Sequence, residues 1–397
     1  MMYPQMKYYH YYRNLLPSRL HVRYDVLLEA MRKAGEEISV PFGYVKHTNL
    51  VQDVLYDRPD IFYYTFEYRF NPGLLSTRYF MNYAVPKDQA KGMIDVMKEK
   101  IRKEFGPARN LSEYERVIYV VKWFEKNVRY DQTYPDCYTM AGPLLRHQGV
   151  CQGISLLICF VLGYFDMDVF MVTGDLLVGD KKEPHAWNAV KINGHWVYLD
   201  MTNSLDGGKS YICVSEKRLK GYEFTPPKDL DFSYEGYDFF NVTHTSFNTP
   251  QEAGAALTKL LRNHDRVPLR LEVNDENNHF DEICNATSFN GTLGALFRLD
   301  AQTYLFTKGQ PASPTSSSSA PTSAETITPR PVSSSGNPRH IGGFIASPII
   351  ILVGLTFLIS GIITGFYAML GVGIFLLVAS VVMLLISFLA KNRKNKP

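Results

Sequence analysis

The sequence predicts an α+β protein that ends in a two-helix transmembrane hairpin. Three patterns carry this reading. In the N-terminal third, apolar residues at helical spacing are followed by aromatic-rich extended runs. Near the middle, an apolar helix begins on a cysteine, and a downstream hairpin carries a histidine and an aspartate. Across residues 341–390 there is no charged side chain, about fifty positions where one membrane crossing needs about twenty.

Residues 1–110 read as an N-terminal α+β region. Leu20, Tyr24, Leu27, Leu28 and Met31 mark a helix within 19–36, and Leu50, Val51, Val54 and Leu55 a second, stopped by Asp57-Arg58-Pro59-Asp60. Residues 61–70 and 77–85 read as strands turned by Asn71-Pro72-Gly73, with a helix over 87–105. Residues 111–216 form the expected core. Its first helix carries Tyr119, Val120, Trp123, Phe124 and Val128 and starts at a capping pattern, Ser112-Glu113-Tyr114-Glu115.

Residues 217–308 read as a small α/β accessory domain. It comprises a helix over 249–262 begun by Thr-Pro, a strand over 269–273, a helix over 280–287 and a hairpin over 292–306. Packing on the core, shaping substrate access and passive spacing are all open roles for it. A linker rich in Ser, Thr and Pro follows over 309–340, then two spans within 341–390 and a basic tail, 391–397. Gly361, Gly365, Gly371 and Gly373 place the reversal between the spans around 364–370.

The chemistry centres on Gly149-Val150-Cys151-Gln152-Gly153. Cys151 opens the apolar run 154–162, so its sulfur sits in the first turn of a buried helix, where unpaired N–H groups and the dipole favour a thiolate. Residues 185–190 and 195–199 alternate as strands around Asn193-Gly194, a strong two-residue hairpin signal. With that loop, Ile192 faces His195, and counting back sets His185 opposite Thr202 and Trp187 opposite Asp200. His185 and Asp200 then share a face as diagonal neighbours, roughly 7–8 Å apart, within side-chain reach. A thiol, an imidazole and a carboxylate in this relation suit a nucleophile, its base and the group that orients the base. Gln152 is a candidate oxyanion donor beside the backbone N–H of Cys151. Trp187 is a candidate cleft wall, and His147 either lines the cleft or lies on the surface. Cys137, Cys159 and Cys213 read as small core hydrophobes.

These residues, with Gly174 after a strand, His185-Ala186-Trp187-Asn188 and Tyr198-Leu199-Asp200-Met201-Thr202, resemble the core of the transglutaminase-like superfamily in its bacterial branch. The resemblance covers roughly residues 112–205. It implies a papain-like α+β fold in which Cys151 attacks an amide carbonyl, His185 moves protons and Asp200 orients His185. The activity implied is a cysteine peptidase or amidase, or a protein-glutamine acyltransferase, working through a thioester on a peptide or protein. One departure is Val197 after Trp196, where many relatives have Tyr.

Composition narrows the alternatives. A formal net charge of +3 argues against a nucleic-acid partner. Five unevenly spaced cysteines without a CxxC pair argue against a disulfide framework or a structural zinc site and suit a reducing compartment. No acidic calcium loop is present, so neither metal nor cofactor is expected, and hydrolysis is favoured. Arg330 and Arg339 precede the spans, and Lys391, Arg393, Lys394 and Lys396 follow them, which predicts both flanks on the cytoplasmic side. Residues 1–12 contain no apolar signal core. The expected placement is therefore a multi-pass anchor in the cell membrane with the catalytic part in the cytoplasm, although the linker suits an extracellular stalk equally well. The competing function is an inactive, membrane-tethered scaffold.

Overall fold

The computed structural model describes residues 6–41, 49–73, 75–275, 277–298 and 301–309. The chain divides into two units, Met1–Pro329 and Arg330–Pro397, and every described residue belongs to the first. The expected linker past 309, the spans within 341–390 and the tail lie outside the described residues. Among those described, no helix is long and apolar enough to cross a membrane.

Helices α1 (Tyr11–Leu15) and α2 (Ser18–Arg32) open the chain. The residues α2 buries are Leu20, Tyr24, Leu27, Leu28 and Met31, the set whose spacing marks the helix. Strand β1 (Glu37–Pro41), helix α3 (Leu50–Asp57) and strands β2 (Tyr64–Pro72) and β3 (Ser76–Tyr83) follow, and the strands form an antiparallel sheet in the order β1-β3-β2. Helix α4 (Lys87–Phe105) leads to α5 (Glu113–Asn127). The start of α5 is a capping box: Ser112 Oγ accepts from the Glu115 N–H, and the Glu115 carboxylate accepts from the Ser112 N–H at 2.9 Å.

Two short strands, β4 (Arg129–Tyr130) and β5 (Gln148–Gly149), pair in parallel and aim the chain into α6 (Cys151–Tyr164). Every residue from Gly153 to Tyr164 is buried, so α6 is enclosed on all sides. It packs on a four-stranded antiparallel sheet of β6 (Val169–Val178), β7 (Lys181–Ile192), β8 (His195–Leu199) and β9 (Tyr222–Glu223), in the order β8-β7-β6-β9. Asn193 and Gly194 form the β7–β8 turn with φ of 45° and 89°, the left-handed pair that a tight hairpin requires. The register runs from Ile192 opposite His195 to Asn188 opposite Leu199, where the ladder ends.

Two expectations need correcting. The core does not close at residue 216, because β9 pairs Glu223 with Asp175 and Tyr222 with Leu176. Gly174 does not follow a strand but lies within β6, opposite His185. There a Cβ would stand 2.5 Å from the Glu223 carbonyl and 2.9 Å from the Trp187 ring, so only glycine lets β9 and Trp187 close in.

One apolar core runs from Leu16 to Cys213, so the N-terminal region and the segment after 111 are packed as a single body. Past α7 (Phe239–Val242), a second sheet forms from β10 (Ser246–Phe247), β11 (Arg266–Leu271), β12 (Leu293–Arg298) and β13 (Thr303–Lys308), in the order β10-β11-β13-β12. Helices α8 (Pro250–Leu260) and α9 (Phe280–Asn285) belong to this accessory unit, which has its own core of Leu257, Leu269, Ile283, Tyr304 and Phe306. Polar clasps join it to the rest. Arg270, fully buried, donates to Asp238 at 2.7 Å, and Arg218 makes a bidentate pair with Glu272 at 2.8 and 2.9 Å.

The first turn of α6 is held by close backbone packing. A Cβ at Gly153 would meet the Cys137 carbonyl oxygen at 2.1 Å and that of Thr139 at 2.8 Å. In a helix interior Ala is favoured over Gly by about 1 kcal/mol, but relieving a backbone clash costs about 3 kcal/mol and decides the sign. Gly153→Ala is therefore expected to lower the urea midpoint, where an unclashed helical glycine would raise it.

Candidate active site

Cys151 is the first residue of α6 and is half-buried. Its N-cap, Val150, offers no side-chain acceptor, so the N–H groups of the first turn surround the sulfur with partial positive charge. The Cys151 sulfur lies within interaction range of the imidazole of His185 and the hydroxyl of Tyr130.

His185 lies on β7, which is fixed against α6 by Asn188. The buried Asn188 amide donates to the Ser155 carbonyl at 3.0 Å and to Cys159 Sγ at 3.2 Å. His185 Nε2 donates to Asp200 Oδ2 at 2.7 Å, which leaves Nδ1 as the ring nitrogen for Cys151. Asp200, fully buried just past β8, is held by further donors. Tyr222 Oη donates to Oδ2 at 2.6 Å and Asn203 Nδ2 at 2.8 Å, while the Asn203 N–H donates to Oδ1 at 3.0 Å.

The charges follow from these contacts. Burial pushes the His185 pKa down, but the Asp200 carboxylate and the Cys151 sulfur outweigh it and raise the value to about 10. Burial pushes the Asp200 carboxyl up, and His185, Tyr222 and Asn203 together hold it below the usual carboxylate range. The favoured state is an imidazolium between a carboxylate and a sulfur.

The other candidates take different places. Trp187 is not a cleft wall: it is fully buried behind His185, its ring stacked 5.8 Å from the imidazole, with Tyr222 and Phe224 edge-on to it. The Gln152 amide donates to the Tyr138 carbonyl at 2.8 Å, so one of its donors is already committed. His147 does not line the cleft beside His185. It closes the helical turn Gly142–Arg146 in the left-handed conformation, φ 61°, and faces a separate cavity. Cys137, Cys159 and Cys213 are buried, and Cys284 is half-buried; burial pushes the thiols of all four up.

The cleft beside His185 encloses about 500 Å³, with Tyr130, Glu183, His185 and Asn203 in its walls. Leu296 and Arg298 of β12 complete it, so the accessory unit forms part of the cleft. Among the described residues no three His, Cys, Asp or Glu side chains are grouped to hold a metal ion.

A cysteine at the head of a central helix, facing a histidine and aspartate on adjoining strands, occupies a segment that can be compared with known families. The model of the transglutaminase-like superfamily matches residues 104–201. This segment is a transglutaminase-like domain. It contains Cys151, His185 and Asp200, while Asn203 and Tyr222 lie beyond its end. Among solved structures, the chain is similar to a proposed cysteine protease from Cytophaga hutchinsonii, with 18% identity, 38% of this chain and 55% of that chain covered, and a TM-score of 0.25. It is also similar to a TGase, with 18% identity, 43% and 52% covered, and a TM-score of 0.23. The chain thus spans about half the length of each. No curated protein matches it.

Tyr130, Asn203 and Tyr222 were not legible as site residues. Asn203 had a local signal, since an Asp accepting from the N–H three residues on is a common turn device. Tyr222 meets Asp200 across 22 positions through β9, a two-residue strand with no periodicity to read.

Proposed function

We propose that this chain is a membrane-anchored cysteine enzyme that acts on amide bonds of peptides or proteins through a thioester. The observation that supports this most is the 2.7 Å bond from His185 Nε2 to the buried Asp200, with Cys151 on the other side of the ring. Cys151 Sγ attacks the amide carbonyl carbon, and the first-turn N–H groups of α6 stabilise the oxyanion. As the C–N bond breaks, His185 Nδ1–H gives its proton to the departing amine, leaving the acyl group on sulfur. Water or a second amine then attacks the thioester, His185 takes its proton, and the thiolate returns. Asp200 keeps the ring oriented and stabilises its charge throughout. The cytoplasmic face of the membrane is the proposed location, resting on the uncharged run 341–390 and its basic flanks.

The test is mass spectrometry of the full chain incubated with a peptide pool and a primary amine, beside Cys151→Ala. Cleaved or deamidated peptides absent from the variant mean a hydrolase, and amine-labelled peptides mean a transferase. Identical spectra from both proteins would remove the proposal and favour the scaffold.

A further inference from the structure

A second cavity adjoins the cleft. It encloses about 540 Å³ and is walled by Lys126, Arg129, Arg146 and His147, with Glu125, Val128 and Gln148 among its other residues. Glu125, Val128 and Arg129 also line the cleft beside His185, so the two cavities share one rim. Lys100 adds a further cation, its Nζ 3.5 Å from His147 Nε2.

The carboxylates nearest this cavity are already matched, and Glu183 lines the adjoining cleft rather than this cavity. Glu125 turns to the buried Lys209, and Asp136 accepts from Arg146 Nε at 2.7 Å. Asp131 accepts from Gln148 Nε2 at 3.0 Å and from the Thr133 N–H at 2.7 Å. Lys126, at the carbonyl end of α5, offsets the negative pole of that helix. Lys100, Lys126 and Arg129 have no carboxylate partner among the described residues. The cavity therefore holds an unmatched positive charge.

Its position selects the ligand. Arg129 adjoins Tyr130, which touches Cys151, and the Arg129 N–H donates to the His147 carbonyl at 3.0 Å, so one short strand links the nucleophile to the cationic wall. We propose that this cavity is a specificity subsite for a carboxylate of the peptide being processed, held by Arg129 and Lys126 while the attacked amide lies at Cys151. The inference rests on the amide chemistry proposed above. A peptide acid fits better than a polynucleotide, because the cationic wall is confined to one cavity beside the cleft and the net charge of the chain is only +3. The carboxylate belongs either to an acidic side chain or to the peptide C-terminus.

The test is calorimetric binding of four matched peptides to full-chain Cys151→Ala, in which turnover is blocked. They carry Glu or Gln at one position and end in a carboxylate or a carboxamide. At least tenfold tighter binding is expected for one carboxylate source over its neutral counterpart, and the pair that shows it identifies the source. The preference should vanish in Arg129→Gln and Lys126→Gln, both exposed positions, and shrink in 0.5 M salt. Equal binding of all four peptides would overturn the subsite, as would a preference that survives both substitutions or binding of an oligonucleotide but no peptide. Turnover by the parent chain is followed in parallel. Turnover without preference removes the subsite alone, and preference without turnover removes the amide chemistry alone.

Discussion

Replacing either Cys151 or His185 with Ala is expected to bring turnover to the same floor, about a million-fold below the parent, and the double variant to fall no further. Each residue is useless without the other. The sulfur needs an imidazolium to supply a proton to the leaving amine, and the imidazole has no reacting atom to serve once the sulfur is gone. Stability separates the two variants. Cys151→Ala removes a half-buried atom and leaves the His185–Asp200 pair intact, so its melting temperature should stay close to that of the parent. His185→Ala leaves a fully buried carboxylate without its cation, and its melting temperature should fall clearly. Unequal floors in single-turnover kinetics would show that the two residues do not act as a unit.

Asp200→Asn is expected to lower kcat about 10,000-fold and to destabilise the fold by about 3–5 kcal/mol. Geometry fixes what the amide must do. Oδ2 faces three donors, His185, Tyr222 and Asn203 Nδ2, so the new carbonyl oxygen must occupy that position. The new NH₂ then points at the Asn203 N–H, a donor against a donor, and the imidazolium loses its counter-charge.

The pH dependence follows from the same pair. The His185 pKa is raised in the folded chain from 6.5 to about 10, so its contribution is complete below about pH 6.5 and is lost as pH climbs towards 10. The Asp200 pKa is lowered from 3.8, so its contribution is complete above about pH 4 and is lost as acid protonates it. Urea midpoints of the parent, taken from pH 4 to pH 10, should therefore fall on the alkaline side more steeply than those of Asp200→Asn. Parallel curves would mean that the pair carries no such linkage.

Much of this arrangement is legible in the sequence alone, for physical reasons. The Asn193-Gly194 turn permits few backbone geometries, and a turn of known length sets the register of its strands, so His185 and Asp200 could be brought together by counting. The placement of Cys151 followed from a sharp boundary between a glycine-flanked loop and an all-apolar helix. What escaped was tertiary. Trp187 shares the apolar character of a cleft wall, and only the absence of a side chain at Gly174 reveals that the ring is drawn back behind His185. His147 sits close to Cys151 in sequence, yet the left-handed backbone at residue 147 turns the chain so that its side chain meets a different cavity. The closing strand β9 is two residues long, below the length at which alternation can be read.

The joint between the accessory sheet and the core bears on the width of the cleft. An interface of greasy side chains tolerates small slides and tilts, because dispersion contacts are nearly indifferent to direction. Arg218 on Glu272 admits only one alignment, since a planar fork must meet its carboxylate edge-on, and Arg270 is fixed by dividing its donors between Asp238 and the Ser210 carbonyl. Strand β12, which brings Leu296 and Arg298 to the cleft, inherits that alignment. The ion pairs work as the stops on a caliper: they set the jaw opening beside His185, and thereby how bulky a group the cleft admits.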